Sequence, residues 1–290
     1  MEPLVTPEWL DRESAARDLR ILDATAHLPS AGRDAAAEFA AGHIPHARFL
    51  DLASLKDAGS PVPNALPTPA QFAERMRALG VAPGDRVVLY DDSAVKTSAR
   101  AWWMLRMNGI EDVAILDGGL AAWRAEVRPL QTGMPAVRPA DHPAPAADWS
   151  RVRDKAAMLA NIDAPAEQVL DARDAGRFSG ATPDTVHNLP GGHIPGARNL
   201  PFVEVFDEDG RYLRGPTLRA AFEGAGIDLD RPIVTSCGSG VTATVLLFAL
   251  HLLGKDDTAL YDGSWLEWGA DPGTPKQTGQ SGTDPLTRSP

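Results

Sequence analysis

The cysteine Cys237 is the only thiol in this 290-residue chain, and it lies where a nucleophile would be expected. It follows the apolar run 232–236 and precedes a glycine-rich stretch that leads into the apolar segment 243–253. This pattern predicts a strand, a tight loop and a helix. Converging backbone N–H groups and a helix N-terminus favour the thiolate, which is the reactive form of cysteine. We therefore predict that Cys237 is catalytic and that its active-site loop consists of Gly238, Ser239, Gly240, Val241 and Thr242.

Composition limits the kinds of protein that this chain can be. At 290 residues with 43% hydrophobic content, it can form two domains of ordinary size. A net charge of −11 argues against nucleic acid as a partner, and the sequence has no apolar run long enough for a membrane span. One cysteine excludes an internal disulfide and a cysteine-rich zinc site. The start of the chain lacks the features of a secretory signal, so we expect a cytoplasmic protein.

An internal repeat organises the chain into two halves. The spacing from Asp92 to Asp117 is 25 residues, as is the spacing from Cys237 to Asp262. This register predicts that Asp92 is the first-half counterpart of Cys237, so that only the second half has a thiol. The matching segments are 21–25 with 169–173, 42–45 with 192–195, 87–92 with 233–237, and 116–123 with 261–268.

Each half alternates short β-like runs with helical segments, which predicts an α/β fold with a parallel sheet flanked by helices. We expect a noncatalytic N-terminal domain at 1–128, a Pro- and Ala-rich linker at 129–148 and a catalytic domain at 149–270. Residues 271–290, rich in Gly, Thr, Ser and Pro, are predicted to form a flexible tail. The predicted helices span 68–79, 98–107, 217–224 and 242–253.

The motifs at 192–197, 237–242 and 261–268, with weaker first-half copies, resemble those of tandem-domain rhodanese-type sulfurtransferases, most closely the 3-mercaptopyruvate sulfurtransferases. The resemblance covers residues 6–269 and implies two rhodanese-like domains, the second of which is catalytic. It also implies transfer of a sulfane sulfur through a Cys237 persulfide to a thiol or cyanide, with thioredoxin among the candidate acceptors. No metal or other cofactor is implied.

Three other roles are open to the cysteine. Cysteine-dependent phosphatases need an arginine six residues after the cysteine, and here that position is Ala243, which disfavours phosphate binding. A noncatalytic sulfur carrier or redox sensor remains an alternative. A cysteine that merely packs in the core is the commonest case, but the glycine-rich loop and the repeat favour catalysis.

The loop also bears on which sulfur donor is used. Relatives that prefer thiosulfate, a dianion, typically have Arg and Lys after the cysteine, whereas this chain has Gly238 and Ser239. Loss of two positive charges weakens a dianion more than a monocarboxylate. The sequence therefore favours 3-mercaptopyruvate, with thiosulfate as the alternative donor.

By the same resemblance, Arg177 matches an arginine that holds the donor carboxylate, a task that suits the planar guanidinium. The family's second such arginine lies nine residues later, where this chain has Val186, and the adjacent His187 is the candidate replacement when protonated. The aspartate and histidine of a relay proposed for mammalian relatives fall on Ala53 and Asn64, so that relay is absent. His43 and His193 are predicted to be scaffold residues, while Asp171 and Arg173 could form an ion pair or contact substrate.

Overall fold

The structure is a computed structural model that describes residues 1–280. The chain forms two compact units. The first contains the predicted linker at 129–148, and the second contains a short segment, Ser60–Ala65, from the N-terminal half of the sequence. The first unit comprises Met1–Gly59, Leu66–Trp149 and Glu208–Tyr212, and the second comprises Ser60–Ala65, Ser150–Asp207 and the chain from Leu213.

The first unit is built on a five-stranded parallel sheet of order β1-β5-β4-β2-β3. Its strands are β1 (Leu4–Val5), β2 (Leu19–Asp23), β3 (Ala47–Phe49), β4 (Arg86–Tyr90) and β5 (Val113–Leu116). Its helices are α1 (Pro7–Glu13), α2 (Ala35–Ala41), α3 (Pro69–Ala78), α4 (Ser98–Met107) and α5 (Gly119–Ala125), with a 3-10 turn at Pro29–Ala31. The start of α3 is fixed by a capping box between Thr68 and Gln71.

The second unit repeats this plan as a parallel sheet of order β6-β10-β9-β7-β8. Its strands are β6 (Val152–Arg153), β7 (Gln168–Asp171), β8 (Arg198–Asn199), β9 (Ile233–Ser236) and β10 (Thr258–Tyr261). Its helices are α6 (Lys155–Asp163), α7 (Ala175–Ser179), α8 (Gly215–Gly224), α9 (Ala243–Leu252) and α10 (Ser264–Trp268), with 3-10 turns at Trp149–Arg151 and Phe202–Val205. The predicted α/β class with one parallel sheet in each half is confirmed.

Strand pairing corrects one predicted equivalence. Strands β2 and β4 pair in the same register as β7 and β9, so Tyr90 and Ser236 occupy equivalent positions. The next residues along the chain are Asp91 and Cys237, and the prediction that Asp92 is the counterpart was wrong. The loop between Asp91 and α4 is one residue longer than the loop between Cys237 and α9. For this reason the 25-residue spacing to Asp117 is found when it is counted from Asp92, although Asp91 is the structural counterpart. The counterpart is an aspartate either way, so this position of the first unit has no thiol.

The two repeat histidines are scaffold residues, as predicted. His43 is buried, stacks on Phe39 with ring centroids 3.9 Å apart, and has Nδ1 2.8 Å from the Phe39 carbonyl oxygen. His193 repeats this arrangement with Phe178, at the same two distances. Each ring thereby joins a helix to the loop that follows it, which is a structural role.

The region predicted as a flexible tail begins with paired residues. The backbone of Gln277 exchanges two hydrogen bonds with His193, of 2.8 and 3.0 Å. Thr274 donates through Oγ1 to the Trp268 carbonyl oxygen at 2.6 Å, and the Trp268 indole donates to the Pro275 carbonyl oxygen at 2.8 Å. Residues 271–280 are therefore held against the second unit, and the rest of the predicted tail, 281–290, lies outside the described residues. Within residues 1–280, no helix combines the length and apolar character needed to cross a bilayer.

Candidate active site

Cys237 lies at the carboxyl end of β9, immediately before the loop that leads into α9. All four residues of β9 are buried between β7 and β10, and Cys237 itself is 1% exposed. Its N–H donates to Ser264 Oγ at 3.1 Å, and the same oxygen is 4.0 Å from Sγ. The fold thus places the only thiol at the carboxyl edge of a parallel sheet, where open α/β folds bind ligands.

Ser264 is a site residue that sequence reasoning missed. Its φ is +49°, which costs a residue with a side chain about 1–2 kcal/mol. The equivalent residue in the first unit is Gly119, at φ +59°, which accepts this conformation freely. Ser264 Oγ donates to the Tyr261 carbonyl oxygen at 2.9 Å and accepts from the Cys237 N–H. The strained serine therefore fixes the backbone of Cys237.

In the loop after Cys237, most carbonyl groups accept hydrogen bonds, whereas four N–H groups have no acceptor among residues 1–280. The carbonyl oxygens of Cys237 and Gly238 accept from residues 265 and 266 at 3.0 and 2.8 Å, and Asn64 Nδ2 donates to the Ser239 carbonyl oxygen at 2.9 Å. Within residues 1–280, by contrast, no acceptor is present for the N–H groups of Gly238, Ser239, Val241 and Thr242. Free N–H groups at the start of a ten-residue helix are suited to an anion.

Arg177 lies in α7 and is 19% exposed. Its Nε donates to the carboxylate of Asp174, the N-cap of that helix, and its Nη1 is 3.4 Å from Asp184 Oδ1. Its Nη2 has no partner within the described part of the chain. The arginine is held from two sides while one edge of its guanidinium is available to a ligand.

His187 lies directly against the loop that follows Cys237. A Cβ added to Gly238 would be 2.1 Å from His187 Cε1, so the ring rests on the Gly238 backbone. Its Nδ1 is 3.0 and 3.1 Å from the two oxygens of Asp184. The structure thus brings two predicted site residues, Arg177 and His187, onto one carboxylate that sequence reasoning missed.

Asp171 and Arg173 form a buried ion pair, one of the two roles considered for them. Arg173 Nη2 is 2.6 Å from Asp171 Oδ2, and both side chains are almost fully buried. The guanidinium lies 4.5 Å from the ring centroid of Trp265 and donates to the Gly192 carbonyl oxygen at 2.7 Å. Because Arg173 is 0% exposed, it supports neighbouring groups rather than contacting a substrate.

Among residues 1–280, no group of three or more His, Cys, Asp or Glu side chains is arranged to hold a metal ion. The site consists of a buried thiol, a loop with four N–H groups that have no acceptor among the described residues, and two arginines and a histidine around one carboxylate. Such a set can stabilise a sulfur anion and bind a small carboxylate.

Comparison with known proteins identifies relatives over most of the chain. A family model described as a rhodanese-like domain matches residues 6–126 and 154–271. The 3-mercaptopyruvate sulfurtransferase of Escherichia coli strain K12 is 40% identical over 267 residues, which are 92% of this chain and 94% of that protein. The mitochondrial thiosulfate/3-mercaptopyruvate sulfurtransferase 1 of Arabidopsis thaliana is 36% identical over an alignment of 304 positions, gaps included, that covers 97% of this chain and 79% of that protein. The crystal structure of SseA from Escherichia coli, a 3-mercaptopyruvate sulfurtransferase with the rhodanese fold, matches with a TM-score of 0.83 and 38% identity over 91% of this chain and 99% of SseA.

Proposed function

The chain belongs to the rhodanese family of sulfurtransferases, and we propose that it moves a sulfane sulfur from 3-mercaptopyruvate through a Cys237 persulfide to a thiol or to cyanide. One observation carries the assignment of the chemistry to the second unit. The only thiol of the chain stands at the head of a loop whose N–H groups at residues 238, 239, 241 and 242 have no acceptor among the described residues. Hydrogen-bond donors of this kind stabilise the negative charge of both a thiolate and a persulfide.

In the first half-reaction, the Cys237 thiolate attacks the sulfur of the donor. An S–S bond forms as the donor's C–S bond breaks, and the bonding electrons leave with carbon as the enolate of pyruvate, which then takes up a proton. In the second half-reaction, an acceptor thiolate or cyanide attacks the outer sulfur and the Cys237 thiolate is released. The loop N–H groups stabilise the negative charge on sulfur in every resting state of this cycle.

Binding of the donor carboxylate is assigned to Arg177 and His187. The free edge of Arg177 can take a carboxylate in two parallel hydrogen bonds. His187 keeps its Nδ1 on Asp184, so Nε2 is the ring nitrogen left for a ligand beside Gly238. The loop itself adds no charge, because positions 238 and 239 are Gly and Ser, and this supports a monocarboxylate over the dianion thiosulfate.

The test compares kcat/KM for 3-mercaptopyruvate and thiosulfate in the parent and in Cys237→Ser. We expect turnover by the parent with the higher value for 3-mercaptopyruvate, and no turnover by the serine variant. Mass spectrometry of the parent after donor addition should show one added sulfur atom, absent from the variant. Activity retained by Cys237→Ser would refute the mechanism, while a higher value for thiosulfate would overturn only the donor.

A carrier or redox sensor would give a different result, because its thiol would be modified once without multiple turnovers. The use of thioredoxin as acceptor stays a prediction, checked by replacing small thiols with reduced thioredoxin in the same assay. Localisation in the cytoplasm also stays a prediction, since a similar protein of Arabidopsis thaliana is mitochondrial.

A further inference from the structure

Asp184 is a buried carboxylate contacted by two arginines and a histidine. It is 0% exposed, and its oxygens are 3.0 Å from His187 Nδ1, 3.4 Å from Arg177 Nη1 and 3.9 Å from Arg173 Nη1. Burial opposes its ionisation, but the hydrogen bond and charge of His187 and the charge of Arg177 outweigh burial and lower the pKa of Asp184 to about 2. The carboxylate is therefore ionised throughout the range in which the enzyme would work.

The backbone around Asp184 holds its side chain and that of His187 in one rigid turn. Asp184 and Leu189 exchange two backbone hydrogen bonds of 2.9 and 3.1 Å, and Asn188 between them has φ +55°. The His187 N–H donates to Asp184 Oδ1 at 3.2 Å, in addition to the contact made by the ring. The imidazole therefore has its orientation fixed both by its own backbone and by the carboxylate.

Asp184 also links two places that are far apart in the sequence. On one side it holds Nη1 of Arg177, the proposed carboxylate anchor in α7. On the other side it holds His187, whose ring rests on Gly238, next to the nucleophile. Arg173 adds a third contact. Its buried Nη1 has no hydrogen-bond partner among residues 1–280 and lies 3.9 Å from Asp184 Oδ2.

We propose that Asp184 is a positioning residue that holds Arg177 and His187 in the arrangement that receives the donor's carboxylate. The inference rests on the proposed function, because it presumes that these two side chains bind the donor. It assigns no reacting atom to Asp184, which is too deeply buried to touch a ligand.

Charge alone predicts the opposite effect. A negative carboxylate 3.4 Å from the anchor should repel a carboxylate ligand, so neutralising it should tighten anion binding. If Asp184 instead positions the two side chains, neutralising it should weaken binding because Arg177 and His187 lose their common partner. The direction of the change therefore separates positioning from a simple charge effect.

The experiment measures the dissociation constant of pyruvate, the desulfurated carboxylate, by calorimetry with the full chain. Asp184→Asn should bind pyruvate about 10-fold more weakly than the parent, the usual loss for a displaced charged hydrogen-bonding partner. In turnover assays its KM for 3-mercaptopyruvate should rise by a similar factor, with kcat changed by less than about 3-fold. Asp184→Glu keeps the charge but moves it by one methylene, and it should also bind more weakly.

Asp256→Asn is the matched control, because Asp256 forms an ordinary histidine pair with His251 Nδ1 at 2.8 Å and is 63% exposed at the far end of α9. This variant should bind pyruvate as the parent does. If Asp184→Asn binds pyruvate equally or more tightly, or if the parent shows no saturable binding, the inference is overturned. Should Asp184→Asn fail to fold, as judged by its circular dichroism, the Asp184→Glu result decides the question. Failure of the proposed function would show separately, as absence of turnover in the parent.

Discussion

Replacement of Gly238 by alanine directly tests the packing between His187 and the loop that follows Cys237. The new Cβ would lie 2.1 Å from His187 Cε1, 2.9 Å from Nδ1 and 3.0 Å from Nε2. Gly238 is not in the left-handed region, so its backbone accepts alanine without strain. The whole cost must therefore come from the histidine, whose ring has to move by about 1.4 Å to reach ordinary van der Waals distance.

The size of the effect follows from what that movement breaks. His187 Nδ1 is 3.0 and 3.1 Å from the Asp184 oxygens, and a shift of about 1.4 Å directed away from Asp184 takes both contacts beyond hydrogen-bonding range. A hydrogen bond to a charged group contributes about 1.5–3 kcal/mol. We therefore expect Gly238→Ala to lower the free energy of unfolding of the second unit by about 2 kcal/mol.

A double-mutant cycle with His187→Ala measures this coupling directly. In the His187→Ala background the ring is gone, so Gly238→Ala should cost close to nothing, and the coupling energy should be about 2 kcal/mol. Differential scanning calorimetry of the four proteins gives the required unfolding temperatures. Gly224→Ala is the control, because a Cβ at that helical position meets nothing within 4 Å, and its effect should be the same in both backgrounds. An equal cost of Gly238→Ala with and without His187 would refute the reasoning.

Two further predictions concern the first unit. Burial raises the pKa of Asp23 to about 6 from its usual 3.8, so its contribution to stability is full below about pH 4 and is lost as the pH rises through 6. Relative to Asp23→Asn, the parent should therefore gain roughly 2 kcal/mol of unfolding free energy between pH 7 and pH 4 in denaturant titrations, and a difference that does not change with pH would contradict this. Val127 has φ +53° after the end of α5 and is 90% exposed, so Val127→Gly should stabilise the protein by about 1 kcal/mol in thermal unfolding. Val203→Gly, at an exposed position without positive φ, should instead destabilise it, and stabilisation by both changes would show that backbone strain is not the cause.

Much of the fold could be predicted because its signals are local or repeated. The helix at 98–107 was predicted with its observed bounds, and the strand before Cys237 was evident from its apolar run and the glycines that follow. The parallel sheets followed from alternation of strands and helices. One extra residue between Asp91 and α4 shifted the predicted counterpart of Cys237 by one position. A comparison of spacings in the sequence cannot tell which residue of a loop is the additional one.

The parts of the site that were missed depend on contacts that no spacing reveals. Asp184 lies in an irregular stretch between Pro183 and Thr185, and its importance comes from three side chains that converge on it only in the fold. Ser264 looks like an ordinary helix-starting residue until its positive φ is known. The early tail residues have a composition typical of disorder, yet Gln277 pairs with His193. Composition and spacing describe the chain locally, whereas these features are set by tertiary contacts.

The uncharged loop and the nearby histidine are two aspects of one arrangement. Thiosulfate-preferring relatives typically have an arginine directly after the cysteine, but here any side chain at position 238 would occupy the space of the His187 ring. A cation on the loop and His187 beside it are therefore mutually exclusive in this backbone. The second side chain proposed to bind the donor is therefore His187, on a turn held by Asp184, rather than a residue of the loop itself. Introducing Arg at position 238 would consequently displace His187 as it added a positive charge, so Gly238→Arg should not simply strengthen binding of thiosulfate.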